Sequence, residues 1–281
     1  MRIVTMNAFL PGYTNIAGWA EQYGHEIVLV VTPPAGAGDR YGADVKPFVL
    51  ELPRTTDVLV TGKLRTVAAP VIAALEPDLV ISAAFPRLIP AEILKIPTYG
   101  AVNLHPSVLP AGRGPNPVRL VYEGATTVGA TLHRTEAEFD TGAILSRRER
   151  PLPDDLTGPA IFQAWREMLR EVLEEGAARA LAGDPGMPQD PAIASEAPMF
   201  TPEEQVLRLT DASAVLVRKS AALNVLEPKT KVIVAGTKQP VRRIELISAG
   251  EQAAQPGEII TYHTDGWTVR SGDGVVRLFT S

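Results

Sequence analysis

Residues 99–104 (YGAVNL) form a strand-like run that delivers Asn103 and then His105. A loop rich in Pro and Gly follows at once (PSVLPAGRGPNP). Residues two apart on a strand share a face, so an amide and an imidazole point the same way. Further along, Phe139-Asp140-Thr141-Gly142 places a carboxylate in a turn between two other strand-like runs, 129–133 and 143–148. An amide, an imidazole and a carboxylate suit acyl transfer to an amine. The amide N–H can donate to an oxyanion, and the imidazole can shuttle a proton. The carboxylate can orient the ring and favour its protonated form. Taken singly, each residue has a plainer reading, as a cap, a satisfied polar group or a turn. Their order and spacing favour a shared site. No covalent intermediate is needed, which agrees with the complete absence of Cys. That absence also excludes disulfides and thiolate metal centres.

Positioning such a cluster calls for a sheet whose strands end at one crevice. Residues 1–6, 26–31 and 78–82 read as apolar strands covered on both faces. Residues 48–52 read as a further short strand. Helical patterns over 14–23 and 67–75 fall between strands, and residues 32–41 read as a loop. Alternating strands and helices predict an α/β doubly wound, mostly parallel sheet. Its ligand crevice lies at the carboxyl ends of the strands. Residues 129–133 and 143–148 read as an antiparallel edge pair. Residues 156–181 carry apolar side chains at helical spacing, with Gly183 as a stop. Five prolines between Pro185 and Pro202 mark an extended linker. A short helix over 211–223 and five brief strands then predict a small OB-like β-barrel. The predicted domains are 1–182, a linker over 183–202, and 203–281.

The chain has 281 residues, a formal net charge of −5 and 45% hydrophobic residues. Those values fit a globular protein without a general affinity for nucleic acid or anionic membranes. The N-terminus has no signal-peptide pattern and no run would span a bilayer, so a cytoplasmic location is expected. No Gly-x-Gly-x-x-Gly follows the first strand, which leaves a nicotinamide site unsupported. No spacing suggests a metal site. The sequence does not fix an oligomeric state.

The ordered run Asn-x-His-Pro-Ser-x-Leu-Pro-x-x-Arg-Gly (103–114), then Gly-x-Thr-x-His (129–133) and Asp-Thr-Gly-x-Ile-Leu (140–145), resembles the folate-dependent formyltransferases. The resemblance covers roughly residues 1–180. Residues 203–281 resemble, more weakly, the C-terminal domain of the methionyl-tRNA branch. It implies a Rossmann-like core, 10-formyltetrahydrofolate as formyl donor, and Asn103, His105 and Asp140 as the catalytic set. It also implies a donor pocket formed by Ala84, Phe85, Pro86 and Leu88 on one loop and by Glu138, Phe139 and Asp140 on another. The family usually has Gly where this chain has Pro86, and Pro removes a backbone donor there. Ser107 and Arg113 stand as substrate-side candidates, each with a loop-stabilising alternative. His133 reads as a packing residue or a supporting neighbour.

Charge guides the expected acceptor. From Thr201 onward, ten Lys and Arg face nine Asp and Glu. The 32–47 segment, basic in tRNA-acting relatives, balances Arg40 and Lys46 with Asp39 and Asp44. The favoured acceptor is therefore a small-molecule amine, such as an amino sugar nucleotide or an amino-acid-derived precursor. Initiator methionyl-tRNA is the alternative. A formyltetrahydrofolate hydrolase and a noncatalytic folate-binding protein are further alternatives. The former would release formate without an acceptor; the latter would bind donor without turnover.

Overall fold

The computed structural model describes residues 1–34, 45–249 and 254–280. The loop expected at 32–41 and the acceptor-side segment at 32–47 fall mostly outside the described residues.

The chain opens with β1 (Arg2–Asn7), α1 (Leu10–Gln22), β2 (Glu26–Thr32), α2 (Val45–Glu51) and β3 (Val58–Val60). A π-helical turn at Leu64–Ala68 leads into α3 (Ala69–Ala74), β4 (Leu79–Ala83), α4 (Ala91–Leu94) and β5 (Ala101–His105). Then come α5 (Arg119–Glu123), β6 (Thr127–Arg134), β7 (Ile144–Pro151) and α6 (Gly158–Leu181). After a 3-10 turn at Pro191–Ile193 come β8 (Val206–Leu207), α7 (Ser213–Leu223), β9 (Lys231–Val234), β10 (Thr237–Pro240), β11 (Arg243–Ala249), β12 (Ile259–His263), β13 (Gly266–Arg270) and β14 (Gly274–Phe279).

Seven strands make one sheet in the order β3-β2-β1-β4-β5-β6-β7. Strands β1 to β5 pair in parallel and β6 runs antiparallel to β5. This is the doubly wound, mostly parallel core that the strand–helix alternation predicts. The strand order reverses at β1, so β1 and β4 leave in opposite senses and open a crevice at their carboxyl ends. Val4, Met6, Val31 and Val80 pack with Leu64, Ile72 and Ile93 on one face. Each such fully buried side chain contributes roughly 1.5–3 kcal/mol. Gly12 lets α1 approach the end of β4: a Cβ there would lie 3.0 Å from the Ala83 Cβ.

One predicted strand is a helix. Phe48 and Leu52 are buried against Tyr13 and Val30, while Leu50 between them is 73% exposed. A strand would bury alternate residues together; burial four apart with an exposed residue between is helical. The third strand is instead Val58–Val60.

By contacts the chain forms two compact units that do not follow chain order. The first comprises 1–117, 129–149 and 165–197; the second comprises 118–128, 150–164 and 198–281. These units cut across the boundary expected at residue 182. Most of the segment expected to be a linker belongs to the first unit, because its backbone pairs there. Met187 and Ile144 exchange two hydrogen bonds of 2.8 Å, and the Ala197 N–H donates to the Arg113 carbonyl at 2.7 Å. Prolines limit regular structure here to a short 3-10 turn, Pro191–Ile193, without preventing such pairing.

In the second unit the strands form a three-stranded sheet, β10-β9-β8, and a four-stranded sheet, β11-β14-β13-β12. Two strands, β8 and β10, go beyond the five expected. Strand β10 reads Thr-Lys-Gln-Pro, which lacks the apolar alternation that reveals strands in sequence. Asn224 ties the end of α7 to the sheet region. Its Nδ2 donates to the Val241 and Arg242 carbonyls, and its Oδ1 accepts from the Lys229 and Thr230 N–H groups.

Candidate active site

The antiparallel register of β5 and β6 sets Asn103 opposite His133 and His105 opposite Thr131. On β6, Gly129, Thr131 and His133 share a face and support the loop after β5. A Cβ on Gly129 would come within 2.1 Å of the Val108 Cγ2, so only Gly lets the loop approach. The Thr131 hydroxyl donates to the Ser107 carbonyl at 2.7 Å and accepts from the Leu109 N–H at 3.2 Å. Ser107 donates to the Ala111 carbonyl at 2.7 Å. Its hydroxyl thus closes the loop on itself, the loop-stabilising alternative of the two roles considered for it.

Asp140 lies after β6 with φ of 56°, a left-handed conformation that Asp tolerates better than most residues. Two residues on, a Cβ at Gly142 would fall 1.9 Å from the Arg134 carbonyl oxygen. The turn therefore folds back against the end of β6 and aims the Asp140 carboxylate at β5. Its Oδ1 lies 3.5 Å from the His105 Nδ1, 3.5 Å from the His133 Nε2 and 3.3 Å from the Asn103 Nδ2. Its Oδ2 accepts from the Gly114 N–H at 2.9 Å. The three predicted residues thus meet, and His133 joins them.

The hydrogen bonds fix the roles of the ring nitrogens. The His105 Nε2 lies 2.8 Å from the Gly112 carbonyl, which only accepts, so Nε2 carries a hydrogen. Nδ1 is then the nitrogen that gains or loses a proton, and it faces Asp140. The His133 Nδ1 donates to the Arg134 carbonyl at 2.7 Å; its Nε2 accepts from the Asn103 Nδ2 at 3.1 Å while the ring is neutral and faces the Asp140 Oδ1, 3.5 Å away, as a donor when the ring is charged. The Asn103 Oδ1 accepts from the Ser82 hydroxyl at 2.7 Å. Burial alone would raise the Asp140 pKa. The charge of His105, the hydrogen bond and charge of His133, and the Gly114 N–H outweigh it and hold the carboxyl well below its ordinary range. Asp140 is therefore a carboxylate at neutral pH.

Arg113 turns inward. Its Nε and Nη2 donate to the Gln189 Oε1 at 3.2 and 2.8 Å. The Gln189 Nε2 donates to the Asp140 and Gly142 carbonyls, both at 2.8 Å. Both donors and both acceptor positions of this amide are engaged, and they brace the turn that holds Asp140. Ser195 adds a second tie: its hydroxyl accepts from the Gly112 N–H at 3.0 Å. Sequence reasoning passed over Gln189 and Ser195 because they lie in a proline-rich stretch without periodicity. It passed over Ser82 because one hydroxyl in an apolar strand carries no motif.

The residues expected to contact a donor are mixed in placement. Phe85 is buried in the core cluster with Val4 and Met6, so its ring faces the sheet. Ala84 has φ of 53°, which turns the backbone sharply after β4. Leu88 is 46% exposed, Pro86 and Phe139 are half-buried, and Glu138 is exposed. The loop after β4 thus offers backbone and Leu88 rather than an aromatic wall. Among the described residues no group of acidic and His side chains could hold a metal ion, and no helix is long and apolar enough to cross a membrane.

The fold is thus a doubly wound α/β sheet with Asn103, His105, His133 and Asp140 gathered at the carboxyl end of β5. Residues 13–175 match the formyl transferase family. The chain belongs to that family. It is 30% identical over 262 residues to a methionyl-tRNA formyltransferase of Carboxydothermus hydrogenoformans, covering 90% of this chain and 83% of the relative. HypX from Aquifex aeolicus, solved in complex with tetrahydrofolic acid, shares the fold with a TM-score of 0.73 at 20% identity; the match covers 99% of this chain but only 43% of HypX. An N-formyltransferase from Helicobacter canadensis, in complex with folinic acid and dTDP-3-aminofucose, has a TM-score of 0.68 at 13% identity, covering 99% of this chain and 98% of its own.

Proposed function

We propose that the protein transfers a formyl group from 10-formyltetrahydrofolate to the amine of methionyl-tRNA. The observation that carries the transfer chemistry is the convergence of Asn103, His105 and His133 on one buried carboxylate oxygen of Asp140. Similarity over 90% of the chain to a methionyl-tRNA formyltransferase supports this acceptor over the small amine favoured by charge alone. The near-neutral balance after Thr201 still favours a small amine, which stays as the second reading.

In this reading the donor lies between the loop at Ala84–Leu88 and the turn at Glu138–Asp140. The acceptor amine attacks the formyl carbon as a neutral nucleophile, forming a C–N bond. Negative charge gathers on the formyl oxygen. Asn103 supplies one N–H to that oxygen, giving up its long 3.3 Å contact with Asp140. His105 takes the amine's proton at Nδ1, where Asp140 stabilises the resulting cation. The bond from carbon to the folate nitrogen then breaks, and that nitrogen receives the proton. The products are a formamide and tetrahydrofolate. The test is tetrahydrofolate release with methionyl-tRNA and with a pool of small amines in parallel. Turnover restricted to small amines would replace the tRNA reading; release of formate with no amine would replace transfer by hydrolysis.

A further inference from the structure

We infer that Ser82 is a positioning residue that serves as the pivot of the Asn103 amide. The inference deepens the proposed function and rests on Asn103 acting as the donor to the formyl oxygen. Strands β4 and β5 pair in parallel with Ser82 directly beside Asn103. Ser82 is 2% exposed, and its hydroxyl donates to the Asn103 Oδ1 at 2.7 Å. The only other partner within reach of that hydroxyl among the described hydrogen bonds is the Val102 carbonyl, at 3.3 Å.

The two ends of the Asn103 amide differ in what holds them. At the nitrogen end both hydrogens are used, one towards Asp140 at 3.3 Å and one towards His133 at 3.1 Å. Donation to a developing oxyanion must displace one of these. The Ser82 bond at the oxygen end is shorter and lies away from the displaced contact, so it persists while the nitrogen end changes partners. It also sets the sense of the amide. Without it, the weakened nitrogen end leaves the amide free to rotate and present its oxygen to the formyl oxygen. That would replace a donor by a like-charged dipole. A buried Asn oxygen left without a donor also carries a desolvation cost.

The test is a series at position 82 beside Asn103→Ala, with kcat and KM measured for donor and acceptor and thermal unfolding as a check on folding. Ser82→Ala lowers kcat about tenfold with both KM values unchanged, the loss of roughly one neutral hydrogen bond in the transition state. Ser82→Thr keeps the hydroxyl and recovers most of kcat. Ser82→Cys keeps the shape with a weak donor and falls between Ser and Ala. Nitrogen-15 spectra of the Asn103 side-chain amide supply a readout that needs no turnover: Ser82→Ala speeds its proton exchange. Wild-type kcat in Ser82→Ala, with Asn103→Ala impaired, overturns the pivot alone. Wild-type kcat in Asn103→Ala overturns the proposed role of Asn103, and unchanged amide exchange in Ser82→Ala would overturn the pivot in that case too.

Discussion

The His105 Nδ1 and the Asp140 Oδ1 lie 3.5 Å apart, both buried, with the other ring nitrogen committed to the Gly112 carbonyl. In the proposed reaction Nδ1 is the nitrogen that exchanges the proton, with the carboxylate as its electrostatic partner. Asp140→Asn should therefore reduce kcat by about a hundredfold or more while the fold persists. Steady-state kinetics with circular dichroism as a folding check would measure it; near-normal kcat would remove Asp140 from the chemistry.

The same pair sets an acid dependence of stability. The folded pKa of Asp140 is depressed, so its contribution is complete above the unfolded carboxyl value, roughly 3.9. It is lost as pH falls through the folded value. Wild type should exceed Asp140→Asn in Tm at neutral pH, and the gap should shrink below about pH 4. A gap independent of pH would contradict the depressed pKa.

Asn103 aims its side-chain amide at His133 and Asp140. Asn103→Ala should lower kcat about 100- to 1000-fold, the usual consequence of losing an oxyanion donor. Binding of donor, followed by fluorescence or calorimetry, should change little. A variant that loses binding and keeps kcat would recast Asn103 as a ligand contact.

Gln189 links Arg113 to the Asp140 turn. Gln189→Glu keeps the size but turns two donors into acceptors facing the Asp140 and Gly142 carbonyls. It should cost about 1–3 kcal/mol of stability and lower kcat. Arg113→Ala should act in the same direction more mildly, by freeing the Gln189 amide. Denaturant unfolding beside kinetics would show both. An Arg113→Ala effect confined to acceptor KM would return Arg113 to substrate binding.

Gly142 has no room for a side chain. Gly142→Ala drives a Cβ into the Arg134 carbonyl, 1.9 Å away, so the turn must move. A loss of stability of about 1–3 kcal/mol is expected, with activity falling because Asp140 shifts too. Unchanged Tm would mean that the turn relaxes freely.

Much of this was legible in the residue order. Apolar runs such as 26–31 located the parallel strands, and period two placed Asn103 beside His105. The pattern failed where burial was not periodic over a full element. Phe48 on a single short helix and Leu52 just past its end are buried on one side, a pattern that five residues cannot distinguish from a strand. Prolines 185 to 198 hid a segment that lacks a long helix or strand yet pairs with the core at Met187, Ser195 and Ala197. Ser82, Gln189 and Ser195 act through single hydrogen bonds to residues far along the chain, and no local spacing records such partners. The acceptor depended on total charge, which says little about where a few cations sit.

The proposed reaction runs formyl transfer through the Asn103–His105–Asp140 cluster. The most direct measurement is tetrahydrofolate release from 10-formyltetrahydrofolate with initiator methionyl-tRNA, with mass detection of the aminoacyl product, in wild type and Asn103→Ala. Release should depend on the acceptor, keep step with formylmethionyl product and nearly vanish in the variant. Release of formate at the same rate without any amine, or equal turnover in Asn103→Ala, would contradict it.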